Sequence, residues 1–130
     1  IENAEFLSGV ISELKAEGIR TSIFVDTELE NITGASQVGT DRIELYTEPF
    51  AANFHFNKNE AVIPFQTAAA EASRLGLELN AGHDLDLQNL KFLTESIPNI
   101  KEVSIGHALI SDALYFGLEN TIQMYLHQLV

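Results

Sequence analysis

The sequence predicts an α/β fold built on a parallel sheet, and three observations carry that prediction. Four segments, AEGIRTSIFVD, QVGTDRIELYT, RLGLELNAGH and IPNIKEVSIGH, share one grammar: a helical stretch, a glycine or Pro/Asn break, then a short β-branched run. Glycine after a last helical residue suits a left-handed C-cap, and the apolar run that follows each break is too short for a helix of its own. Between these segments lie ELENITGASQV, NEAVIPFQTAAAEASR and LDLQNLKFLTES, each with enough helical periodicity to cross back over a sheet.

The elements follow in order. The chain opens on IENAEFLSGVISELKAEG, where Phe6, Val10, Ile11 and Leu14 recur at helical spacing; without an initiating Met, this helix is expected to belong to a longer chain. Thr21 to Val25 read as the first strand. In the second, Ile43 and Leu45 alternate with Glu44, so Glu44 faces away from its apolar neighbours. The connection TEPFAANFHFNKNE, rich in aromatics and asparagine and carrying His55, is long enough to read as a lid or binding loop. LEL, residues 77–79, reads as the third strand, and Asp84 and Asp86 then read as N-cap residues of a helix through Leu87, Leu90 and Leu93, with Asp86 the better candidate. Val103 to Ile105 belong to the fourth strand. Two helical pieces, HALISDALYFG and LENTIQMYLHQLV, follow it on either side of Gly117, and a short extra helix there is a recurrent feature of the phosphate end of a (β/α)8 barrel. Residues 1–130 are expected to form one domain. Half a barrel and an open doubly wound sheet of four strands both satisfy this order, and periodicity does not separate them.

Composition narrows the function. With 130 residues and 45% hydrophobic side chains the chain can bury a sizeable core. There are 19 acidic and 7 basic side chains and a formal charge of −12, so a polyanion is repelled and nucleic acid is a poor partner. A small phosphorylated ligand remains compatible, because backbone N–H groups and helix ends hold phosphate without a cation. No cysteine is present, which removes disulfide frameworks and thiolate metal sites and makes the cytoplasm the default compartment. No apolar run approaches the roughly 20 residues of a membrane-spanning helix, and no membrane partner is expected.

In parallel α/β folds, functional groups gather at the carboxyl ends of strands. That edge offers Asp26 and Thr27, then Glu44, Tyr46 and Thr47, then Asn80 and His83, then Gly106 and His107. Glu44 reads equally well as a catalytic carboxylate or as a structural one paired with Arg42 or Arg20. His83 exchanges protons near neutral pH, and Gly82 before it lets a ligand or another backbone come close, although a histidine satisfied in a plain turn is the bland alternative. Gly106 leaves backbone uncovered and His107 opens a helix whose first N–H groups are unpaired, an arrangement for anion capture that an ordinary strand-to-helix turn also produces. His55 reads as a residue of a disordered or plainly packed segment and His127 as a surface or interface residue. No His/Asp/Glu spacing resembles a metal site, and neither a glycine-rich phosphate loop nor a nucleophile elbow occurs.

With GIRTSIFVD, DRIELYT, LNAGHDL and EVSIGHALI in that order and at those spacings, the chain resembles the second half of the pyridoxine 5′-phosphate synthase family over essentially all its residues. One departure is YTEPFA, where Glu48 stands in place of a glycine. The resemblance implies a TIM (β/α)8 barrel of which this chain supplies about the C-terminal half, four parallel strands with their helices. It implies a transferase-type condensation in vitamin B6 biosynthesis, of 1-deoxy-D-xylulose 5-phosphate with 3-amino-2-oxopropyl phosphate, giving pyridoxine 5′-phosphate, phosphate and water. By position, His83 is similar to the family's proton donor and Glu44 to its transition-state stabiliser, while Asp84, Gly106 and His107 match positions that hold the aminoketone phosphate. No metal or organic cofactor is implied, a homo-octamer is, and this stretch alone would be half an active site. The alternatives are a non-catalytic half-barrel module that binds phosphorylated metabolites, and another barrel enzyme acting on a sugar phosphate.

Overall fold

The structure is a computed structural model that describes residues 3–130. Helix α1 (Ala4–Ala16) leads into β1 (Ser22–Val25), then α2 (Leu29–Gln37), β2 (Arg42–Tyr46), α3 (Glu48–Arg74), β3 (Glu78–Gly82), α4 (Leu90–Ser96), β4 (Ile100–Ser104), α5 (His107–Phe116) and α6 (Leu118–His127). The four strands lie in the order β1-β2-β3-β4 and every pairing is parallel. A doubly wound sheet reverses its strand order at a switch point, whereas a barrel wall adds each strand beside the last. The unbroken succession therefore decides for the barrel wall.

Register sorts the two faces. Ile43 pairs with Ile23 and Leu79, and Leu45 with Val25 and Ala81, so these apolar residues share one face. That face meets α2, α3 and α4 through Ile32, Phe50, Phe65, Leu90 and Leu93, all buried, and forms the core. The other face carries Arg42, Glu44, Glu78, Asn80, Gly82 and Glu102, with a register irregularity between Leu79 and Asn80. At the amino ends of its strands Arg42 is ion-paired to Glu78 and, at 2.8 Å, to Glu102, while Arg20 reaches Glu102 at 3.0 Å. Asn80, placed by the sequence at the carboxyl edge, instead accepts a hydrogen bond from Arg42 Nη1 at 3.2 Å, because β3 runs on two residues to Gly82.

The expected loop over residues 47–59 is helical. Glu48 and Pro49 open α3, where proline's missing N–H costs nothing, and Phe50 packs edge-on against Phe54 one turn later at 5.5 Å. Helical geometry breaks only at Asn57, whose side-chain oxygen accepts from the Glu60 N–H at 3.3 Å and caps the resumed helix. His55 is exposed on this helix beside Phe54, and His127 is exposed at the end of α6. Tyr125 donates to Asp112 at 2.8 Å and ties α6 to α5; burial and that carboxylate push its phenol well up.

Candidate functional site

The carboxyl ends of β2, β3 and β4 open into one cavity of about 670 Å³, whose walls include Glu44, His83, Asp84, Ser104, Gly106 and His107. The five sequence-predicted site residues thus meet in one place, and the two Gly-His turns sit over adjacent strands on the same edge of the sheet.

Glu44 comes from the middle of β2, in register with Phe24 on β1 and Asn80 on β3. Both arginines suggested as its partners are taken by Glu78 and Glu102. Among the described residues Glu44 makes no ion pair and no hydrogen bond, so the structural alternative for this carboxylate is not realised. Every buried side-chain nitrogen and oxygen among them has a partner, so the Glu44 oxygens keep contact with solvent. A carboxylate left unpaired at a cavity wall is free to meet a ligand's hydroxyl or ammonium.

Gly82 serves Glu44 rather than a ligand. A Cβ at Gly82 would overlap the Glu44 carboxylate and lie 2.9 Å from the Ser104 Cβ, so glycine at the end of β3 is what lets that carboxylate lie against the strand. Gly106 is the open one: a Cβ there would meet nothing within 4 Å.

His83 and Asp84 follow Gly82 in left-handed backbone, with φ of 90° and 57°. For non-glycine residues this costs about 1–2 kcal/mol each, and it persists only where surroundings hold it. Here Thr47, fully buried after β2, supplies the hold: its hydroxyl lies 2.7 Å from the Gly82 carbonyl and 2.6 Å from that of His83, and its N–H donates to Gly82 at 2.9 Å. The His83 ring stands edge-on to Tyr46 at 4.8 Å, and Tyr46 in turn to Phe24 at 5.5 Å. Asp84 Oδ2 lies 3.2 Å from His83 Nδ1. The Asp84 N–H has no acceptor among the described residues.

Asp84 therefore caps no helix. Asp86 does cap, but one turn early: its Oδ1 accepts from the N–H groups of Gln88 and Asn89 at 2.8 and 3.0 Å, and α4 begins only at Leu90 behind Asn89. At the next strand end Gly106 is the N-cap of α5 and offers no side-chain bond, so the first-turn N–H groups beside His107 remain open to the cavity. Sequence reading missed Thr47 as a clamp and Gly82 as the seat of Glu44; the pair of glycine and threonine at matching ends of adjacent strands was the available signal. No group of three or more His, Asp or Glu among the described residues is placed to hold a metal ion.

Strands laid down in sequence order, with unpaired titratable groups and an uncapped helix at their carboxyl ends, define a stretch of (β/α)8 barrel with its functional mouth. Residues 1–130 all match the family model described as Pyridoxal phosphate biosynthesis protein PdxJ, and the chain belongs to that family. It is 57% identical over 129 residues to the Pyridoxine 5′-phosphate synthase of Cytophaga hutchinsonii, covering 99% of this chain and 54% of that protein. The protein of the same name from Porphyromonas gingivalis is 56% identical over 127 residues, 98% of this chain and 53% of its own. That from Flavobacterium johnsoniae is 55% identical over 129 residues, 99% and 54% respectively. The chain thus spans about half the length of the curated relatives it matches, their C-terminal half, and supplies about half of the family's TIM barrel.

Proposed function

We propose that residues 1–130 act, as one domain, as the C-terminal half of a pyridoxine 5′-phosphate synthase and carry the anion-holding and proton-moving side of its site. The reaction is the condensation of 1-deoxy-D-xylulose 5-phosphate with 3-amino-2-oxopropyl phosphate to pyridoxine 5′-phosphate, with release of phosphate and water. The observation that carries this reading is the convergence of Glu44, His83, Asp84, Gly106 and His107 on one cavity at the carboxyl ends of the strands. A dehydrating ring closure needs a proton delivered to a departing hydroxyl, and His83 is the acid. It needs the positive charge that develops as the amine joins the carbonyl carbon to be stabilised, and the unpaired Glu44 carboxylate at the cavity wall does that. The phosphate of the aminoketone rests on the open N–H groups of Asp84 and of the α5 first turn, with His107 beside it. The rest of the site comes from the other half of the barrel.

No helix among the described residues is long and apolar enough to cross a membrane, and we place the enzyme in the cytoplasm, working without nucleic acid and without a metal or organic cofactor. Leu114 and Tyr115 on α5 are 83% and 85% exposed, which supports burial against further copies in a homo-oligomer. Light scattering on the full-length protein tests that assembly, and a monomer at all concentrations rejects it.

The test of function is formation of pyridoxine 5′-phosphate from the two phosphorylated substrates by the full-length protein. Gly106→Val, whose side chain enters open space, is expected to weaken phosphate binding by about 1–3 kcal/mol by calorimetry while the fold is kept. Phosphate binding with no product under any condition would mark a non-catalytic module instead.

A further inference from the structure

The mouth holds one contact that the proposed roles leave unused, and it rests on the reading of His83 as the proton donor. We propose that the Asp84 carboxylate is a positioning group for His83: it holds the imidazole with Nδ1 toward Oδ2 and leaves Nε2 as the nitrogen that trades protons with the ligand.

The geometry argues for this in three ways. Asp84 Oδ2 lies 3.2 Å from His83 Nδ1, and that is the one ion pair either side chain makes among the described residues. The contact requires two successive side chains to be turned together, and the left-handed backbone at φ of 90° and 57° is what turns them. That backbone is pinned from both sides, by Thr47 on the Gly82 and His83 carbonyls and by Asn89 Nδ2, which donates to the Asp84 carbonyl at 3.2 Å. A strained pair of residues held by two independent clamps is expected where the resulting side-chain arrangement matters.

The chemistry fits. Which imidazole nitrogen carries the proton is set by what faces the other, and an anion beside Nδ1 favours hydrogen there. When the imidazolium passes its Nε2 proton to a departing hydroxyl, the hydroxyl leaves as water, the Nδ1 hydrogen stays, and a neutral imidazole remains against the carboxylate. The side chains are 48% and 44% exposed, so solvent screens the attraction and the contact acts through orientation more than through energy. Tyr46 packs edge-on against the ring at 4.8 Å, and Glu44, Asp86 and His107 are the other titratable groups around the same cavity. Turned onto His83, the Asp84 carboxylate also spends its charge on the imidazolium, while the Asp84 N–H stays available to an anion. One residue thus serves the mouth with two different groups, its carboxylate toward His83 and its N–H toward an anion.

A double-mutant cycle on the full-length synthase tests this. Asp84→Gly suits the backbone, so its Tm should equal or exceed the parent's, and kcat should fall by about tenfold with no rise in KM for either phosphorylated substrate. Asp84→Asn, whose amide oxygen can still face Nδ1 and whose backbone tolerates this region, should recover most of the loss. In a His83→Asn background Asp84→Gly should cost nothing further. A fully active Asp84→Gly, or an equal loss with and without His83, overturns the positioning role. If His83→Asn alone leaves turnover unchanged, the assignment of His83 as acid falls and the inference falls with it; if that variant is slow and Asp84→Gly is not, only the role of Asp84 is lost.

Discussion

Arg42 and Glu44 stand two residues apart on one strand and face the same way, yet their electrostatic situations are opposite. Arg42 is buried, ion-paired to Glu78 and Glu102 and hydrogen-bonded to Asn80, and Arg20 completes the network through Glu102. Burial pulls the Arg42 guanidinium down, but the two carboxylates outweigh it and hold its pKa above the usual value; Arg42 in turn holds the Glu102 carboxyl below the usual range. Glu44, one step toward the carboxyl end, has no partner among the described residues. The difference teaches how one sheet face is divided. At the floor, opposite charges saturate one another and tie neighbouring strands together; at the mouth, the Glu44 carboxylate and the Asp84 N–H are left without a partner among the described residues.

If that division is right, changes at the mouth alter rate and changes at the floor alter stability. The largest expected effect is His83→Asn, which should lower turnover of the full-length enzyme by roughly 10² or more, since a general acid acts in the chemical step. Phosphate affinity should stay within about twofold and Tm within about 2 °C, because the asparagine side chain tolerates left-handed backbone and removes no buried contact. Glu44→Gln comes next. The amide keeps the volume that Gly82 accommodates and loses only charge, so turnover should fall by about 10- to 100-fold with Tm unchanged. A collapse of Tm in this variant would erase the distinction between the two layers.

From the floor, Arg42→Leu should do the reverse. It leaves Glu78 without its ion-pair partner and Glu102 with Arg20 alone, and Tm should drop by about 5–10 °C in a thermal melt. The kcat of the remaining folded enzyme should stay within about threefold of the parent's. Loss of activity without loss of stability would place Arg42 in the mouth after all.

The sequence carried the division only in part. Strand and helix order was readable because glycine breaks and apolar periodicity are local signals, and the resulting list of strand ends placed Glu44, His83, Gly106 and His107 at one mouth. What acts over distance was not readable. Arg42 finds Glu78 36 residues away and Asn80 38 residues away, so the sequence alone points Asn80 to the mouth and shows nothing of the floor network. β4 begins at Ile100, ahead of the expected Val103 to Ile105, because Lys101 and Glu102 look unlike a buried strand although Glu102 faces the floor. The asparagines and aromatics of the stretch 47–59 point to a loop, while Pro49 in the first turn, Phe50 and Phe54 one turn apart, and Asn57 three residues before Glu60 are the helix signals that outweigh them. Two left-handed non-glycine residues in a row have no local sequence signature, since it is the buried Thr47, from the end of another strand, together with Asn89 that makes them tenable.

The smallest effect concerns acid, and it sharpens the comparison from the floor side. Asp41, just before β2, pairs with Lys15 Nζ at 2.8 Å and accepts from the Thr21 N–H and hydroxyl at 2.9 and 3.1 Å. The Lys15 ammonium, with the Thr21 N–H, holds its carboxyl down at about 2. Its folded-state pKa is thus below its unfolded one, so the unfolded chain binds the proton first on acidification. The stability this pairing contributes is fully present above pH ~4, the ordinary aspartate value, and is lost as pH falls through about 2. Asp41→Asn should therefore lower Tm slightly at neutral pH and flatten the decline of Tm between pH ~4 and ~2, while kcat/KM at neutral pH stays at the parent's value. Because Asp41 and Lys15 are both partly exposed, salt should shrink the difference. A variant whose Tm falls with acid as steeply as the parent's would assign the acid limb to other carboxylates of the floor, Glu102 first among them.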